Sequence, residues 1–125
     1  MANPGPGYAK NPDHSVVVTP FKGRVVIEAN GVVLADTEHA LLLKEASYPP
    51  VYYVPRADAQ MANLVPTDHH TTCPFKGEAS YFSIQGGAEN AVWSYEQPFD
   101  EVLSIRDYLA FYPNRVDAIR VEPAA

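Results

Sequence analysis

Apolar residues are spread along the chain in short runs rich in β-branched and aromatic side chains, and proline, glycine and asparagine separate the runs. That pattern predicts strands, which are short and favour such side chains. The clearest element is a hairpin: residues 24–29 and 32–36 flank Asn30-Gly31. A tight type I′ turn needs positive φ at both central residues, which Asn-Gly supplies. Residues 15–19 read as a strand before it, set off by Pro20 and Gly23. Residues 41–45 read as a strand because Pro49-Pro50 follows too closely for a helix, and residues 51–54 as another, closed by Pro55. Residues 78–84 and 90–95, either side of Gly86-Gly87, predict a second hairpin, and residues 115–121 a terminal strand of mixed alternation.

Two segments read as helices. Residues 56–63 suit a short one. Residues 98–110 suit a longer one, with Pro98 at its start, Asp100 and Glu101 where the helix dipole favours anions, and Val102, Ile105 and Leu109 as its apolar stripe. Residues 64–77 read as a mostly polar loop. Residues 1–13, where proline and glycine alternate, read as a flexible tail before a single β-rich domain over 14–122. The fold class expected is mainly β (α+β), with antiparallel sheets and those two helices.

Composition narrows the setting. The chain has 125 residues, 46% hydrophobic and 19% charged, which fits one globular domain able to bury a core. No apolar run approaches the roughly 20 residues of a spanning helix, and the N-terminus lacks a basic end followed by an apolar stretch. Neither membrane nor secretion is expected. Cys73 is the one cysteine; it can form no intramolecular disulfide, and a reducing cytoplasm is its natural setting. The net charge of −6, with nine scattered basic residues, argues against a nucleic-acid polymer as partner but leaves room for a local pocket for one small anion.

The residues also resemble a known family. The resemblance runs from about His14 to Ala118 and rests on Asn30-Gly31-Val32-Val33-Leu34-Ala35-Asp36-Thr37, Tyr53-Val54-Pro55-Arg56, Asp68-His69-His70-Thr71-Thr72-Cys73-Pro74-Phe75-Lys76-Gly77, Ala79-Ser80-Tyr81, Glu89-Asn90-Ala91-Val92-Trp93-Ser94-Tyr95 and Ala110-Phe111-Tyr112-Pro113. In combination these resemble domain of unknown function 427, a bacterial family sometimes labelled nucleotidyltransferase-like. The resemblance implies a compact β-rich fold similar to the β-tents of small zinc-binding proteins. Those use two Cys-x-x-Cys knuckles, which this sequence lacks, so no zinc is implied. Nucleotidyl transfer needs a metal-holding carboxylate pair beside a phosphate-cradling loop; no Gly-Ser followed by Asp-x-Asp and no Walker-type loop occurs, and the label is not adopted.

Candidate chemistry concentrates in residues 68–77. Cys73 has the chemistry of a nucleophile if His69, His70 or Lys76 favours its thiolate; the plainer reading is a small buried hydrophobe. Asp68, His69, His70 and Cys73 are metal-ligand types, but adjacent histidines rarely face one ion, so no metal or other cofactor is expected. Lys76 suits an anionic ligand group or a surface carboxylate. Arg56 offers a planar fork to a carboxylate or phosphate, or an internal brace. Trp93 and Tyr95 share a strand face and, with Tyr53, belong either to the core or to a pocket wall. The leading expectation is a small-ligand-binding domain with a groove of Tyr53, Arg56, His69, Lys76, Trp93 and Tyr95 for a planar or anionic molecule. The alternatives are a small enzyme using Cys73, His69 or His70, and an interaction module that forms a homodimer through an exposed strand edge.

Overall fold

The computed structural model describes residues 2–124. These residues are mainly β, with ten strands among them in three antiparallel sheets. The first sheet holds β1 (Val16–Pro20), β4 (Leu41–Glu45) and β5 (Val51–Tyr53), in the order β1-β4-β5. The second holds β2 (Gly23–Ala29), β3 (Val32–Thr37) and β10 (Ala118–Pro123), in the order β10-β2-β3. The third holds β6 (Leu64–Cys73), β7 (Gly77–Ile84), β8 (Val92–Tyr95) and β9 (Leu109–Phe111), in that order. Both expected hairpins form. Asn30 and Gly31 have φ of 52° and 75°, the two positive values a type I′ turn requires, and Gly86 turns β7 towards β8 with φ 71°.

Apart from its edge strand β6, the third sheet is buried on both faces, which is why β8 and β9 are apolar at successive rather than alternate positions. Phe82, Ile84, Val92, Leu109 and Phe111 pack with Val25, Ile27, Ala29 and Leu34 of the second sheet. Ala79, Tyr81, Tyr95 and Ala110 point the other way and pack with Leu43 and Tyr53 of the first. Val54 and Leu109 exchange two backbone hydrogen bonds of 2.8 Å, tying the end of β5 to β9.

Three expectations about elements are corrected. Residues 56–63 are two single 3-10 turns, Arg56–Asp58 and Met61–Asn63. Ala59 between them bridges to Ala35, and the Gln60 N–H donates to the Leu34 carbonyl, so pairing to β3 interrupts the helix. Residues 98–110 are not one helix. Asp100–Ile105 is 3-10 with a non-helical kink at Val102, Asp107 has φ 65°, and Leu109 already belongs to β9. The buried residues Val102 and Ile105 are three apart, the period of a 3-10 turn. Residues 64–77 are not a loop: most of the segment is β6, ten residues long, on the edge of its sheet. Its polar side chains are mostly exposed, and its pairing is carried by backbone hydrogen bonds to β7 rather than by an apolar face.

The first residues also differ from a free tail. Gly7–Lys10 forms one helical turn, α1, and residues 3–14 lie against the β6–β7 turn. No helix among the described residues is long and apolar enough to cross a membrane.

Candidate functional site

Register decides which sequence candidates meet. His70, Ser80 and Ser94 are direct partners across β6, β7 and β8, so they share one face with Phe82. Thr71, Tyr81, Trp93 and Tyr95 lie on the opposite face, where Thr71 and Tyr81 share a hydroxyl hydrogen bond of 2.8 Å. His69 packs edge-on against Tyr81, ring centroids 4.5 Å apart, and so belongs to that second face. His70 is on the first, 3.8 Å from Glu78. Cys73 is half-buried on the His69 face, but four residues along an extended strand is about 13 Å. The structure therefore brings neither histidine to the cysteine. Among the described residues no three His, Cys, Asp or Glu side chains gather as a metal cage would need.

Arg56 is an internal brace, with partners the sequence did not suggest. Its Nε–H donates to the Asp107 carbonyl at 2.7 Å, and one terminal nitrogen donates to Ser94 Oγ at 3.0 Å and Glu96 Oε2 at 3.2 Å. Its guanidinium lies 5.4 Å from the centre of the Phe82 ring. That places Arg56 on the face opposite Trp93 and Tyr95. Lys76 sits in the β6–β7 turn and pairs with Glu45. Gly77 beside it is four residues, about 13 Å, from Tyr81, the cross-strand partner of Trp93. The six residues expected to line one groove are thus divided: Arg56 on one face, Lys76 at a distant turn, and Tyr53, His69, Trp93 and Tyr95 along the other face.

What the second face does carry is a row of rings. Trp93 Nε1–H donates to Tyr53 Oη at 3.3 Å, Trp93 packs on Tyr112 at 4.5 Å, and the Tyr112 and Tyr81 hydroxyls are 3.2 Å apart. Burial pushes the Tyr53 and Tyr95 phenols well above their ordinary range, so both stay neutral. Burial together with Tyr81 pushes Tyr112 up to about 12.

Beside Trp93 the three sheets converge without closing. A cleft of about 240 Å³ opens there, lined by Val51 and Tyr52 of β5, Ile27 of β2, Ile119 and Val121 of β10, Trp93 and Phe111 of β8 and β9, and Pro50 and Pro113. The lining is apolar or aromatic throughout. Of these residues the sequence singled out only Trp93 as a site candidate. The available signal was the alternation in residues 115–121, which places Ile119 and Val121 on one face, but nothing local says that this face meets Trp93. Beyond Pro113, Arg115 stacks on Tyr112 with its guanidinium 4.8 Å from the ring centre and donates to the carbonyls of Glu89 and Asn90. Among the described residues it has no carboxylate partner within 4.0 Å.

A second polar cluster went unread in the sequence. Glu45 at the end of β4 accepts from Lys76 on one carboxylate oxygen and lies 2.8 Å from His14 Nε2 on the other. Burial alone would raise the Glu45 carboxyl, but the hydrogen bonds from Lys76 and His14 outweigh it and hold the group below the usual carboxylate range. His14 also stacks on Phe75 at 3.8 Å.

No curated protein matches the chain. A family model, described as a domain of unknown function, DUF427, matches residues 17–122, from the first residues of β1 into β10. The chain belongs to the DUF427 family.

Proposed function

We propose that this chain is a small-ligand-binding domain, and that its ligand is a planar molecule with an apolar body and an anionic end. The observation that carries the reading is the cleft beside Trp93, where side chains from all three sheets leave about 240 Å³ unfilled between apolar walls. Ligand sites are concave, mostly apolar and few per protein. An apolar cavity of about 150 Å³ holds a benzene ring, so this cleft has room for a substituted or fused ring. Trp93 is half-buried and lines the cleft, while its N–H is already satisfied by Tyr53. For the anionic end the reading takes Arg115, which lies outside the lining of the cleft but stacks on Tyr112 beside Trp93 and, among the described residues, bonds backbone carbonyls and no carboxylate. Arg56 and Lys76 are committed to internal partners and take no part. The β-tent likeness belongs to the same proposal: two outer sheets lean on the central one, and the cleft is the gap where they meet.

The test is a thermal-shift screen of bicyclic aromatic carboxylates and sulfonates against the chain and its Val121→Phe variant, in which the larger side chain occupies the cleft. A ligand at a hundredfold its dissociation constant adds about 2.7 kcal/mol to stability, which a melt resolves. Stabilisation of the parent that the variant loses supports the reading. No stabilisation by any member, or equal stabilisation of both proteins, overturns it.

A further inference from the structure

Residues 3–14 are seated in a groove between the β6–β7 turn and the segment that follows β8. The contacts are specific and come from both walls of the groove. The Asn3 N–H donates to Asp100 Oδ2 at 2.6 Å, and the Asp100 N–H donates back to the Asn3 carbonyl at 2.9 Å. The Gly5 N–H donates to Glu101 Oε1 at 2.9 Å and the Gly7 N–H to the Pro74 carbonyl at 2.9 Å. Tyr8 packs edge-on against Phe75, with centroids 5.0 Å apart, and His14 stacks on the same ring at 3.8 Å. The two walls are joined to each other by the Phe99 N–H donating to the Lys76 carbonyl at 3.0 Å.

Two features separate groove from occupant. Phe75 leaves no room for a side chain at position 7: a Cβ there would lie 2.7 Å from its ring. The fit therefore selects glycine at that point of the bound segment. In addition, the residues that build the groove lie within the family match, whereas the arm lies before it, since that match begins at residue 17.

We propose that this groove is a peptide-binding site of the domain, for a segment that enters a helical turn at a glycine followed by an aromatic residue, as Gly7–Lys10 does, and that residues 3–14 of the same chain are its resident, competing ligand. Backbone N–H groups of the segment meet Asp100, Glu101 and the Pro74 carbonyl, the glycine passes under Phe75, and the aromatic ring meets the Phe75 edge. A short tether gives an effective concentration on the order of 1 mM. An arm that fills the groove nine-tenths of the time then corresponds to a free-peptide dissociation constant of about 0.1 mM, and it weakens a competing peptide about tenfold.

The experiment titrates a fluorescent peptide of residues 2–15 with the full chain and with two full-length variants, Gly7→Val and the milder His14→Ala, reading polarisation. Both substitutions lie in the arm, outside the residues that build the two buried clusters, and a thermal melt confirms that each variant is folded. The expected result is saturable binding to Gly7→Val near 0.1 mM, intermediate binding to His14→Ala, and about tenfold weaker binding to the parent. The same peptide with Gly7→Val should bind none of them. Failure of the peptide to bind either folded variant, or equal affinity for parent and Gly7→Val, overturns the proposal.

Discussion

At Gly23 the backbone itself excludes a side chain. Its φ is 147°, and an added Cβ would press on the Glu122 carbonyl oxygen and stand 2.8 Å from Pro123 Cα. Both atoms are main chain of the neighbouring strand β10, so nothing flexible can yield. Gly23→Ala should therefore lower stability by about 1–3 kcal/mol, read as the shift of a urea midpoint; an unchanged midpoint would contradict the register of β2 and β10. The sequence marked Gly23 as a separator between runs but gave no reason for it, because the reason is a contact a hundred residues away. Glu45 is a similar case. Burial opposes its charge, the bonds from Lys76 and His14 outweigh burial, and the net effect is a lowered carboxyl. A group lowered by folding contributes stability above its unfolded pKa, near 4.3 for glutamate, and that contribution fades as pH falls through the folded value. Stability should thus drop on acidification from about pH 5 downwards, and Glu45→Gln should flatten that acid limb while lowering stability at neutral pH. Equal slopes in parent and variant would show that the pair carries no linkage.

Elements whose signals are local were legible. The Asn30-Gly31 turn and the β-branched runs beside it specify β2 and β3 without any distant partner, and Gly86-Gly87 does the same for β7 and β8. The failures are elements whose form depends on what they pair with. β6 reads as loop because its exposed residues are polar on both faces, so alternation disappears, and an edge strand needs only backbone pairing on one side. The segment after Pro98 reads as helix because apolar residues at spacings of three and four suit one, yet the chain must turn back at Asp107 to make β9. The two consequences are testable. Ile105 is fully buried, and Ile105→Ala should cost about 2–5 kcal/mol, as expected of a core anchor rather than a frayed helix end. On β6, the strand geometry keeps His69 and His70 away from Cys73. Alkylation of Cys73 in the folded protein should stay within about twofold in His69→Ala and His70→Ala, because neither ring stabilises the thiolate. A tenfold fall in either variant would restore the cysteine–histidine reading.

Across the whole molecule, the central sheet is shared by two cores, one under each outer sheet. That arrangement explains why aromatic residues that look alike in sequence have different fates. Tyr53 and Tyr95 are sealed between the first and third sheets, while Trp93 reaches the place where all three sheets part. Sequence reasoning grouped Trp93 with Arg56 and Lys76 because they flank one polar segment, but the sheet places them on different faces and at different ends. The cleft that replaces that groove is built from residues 27, 50–52, 93, 111, 113, 119 and 121, a set that only the assembled fold brings together. Because Trp93 is the one tryptophan in the chain and lines the cleft, its fluorescence reports directly on occupancy. Titration with a bicyclic aromatic carboxylate should quench Trp93 emission saturably with one site per chain. Arg115→Ala should weaken that binding, and the filled Val121→Phe cleft should abolish it. Emission that stays unchanged up to millimolar ligand, or quenching that is linear and identical in all three proteins, would contradict the account.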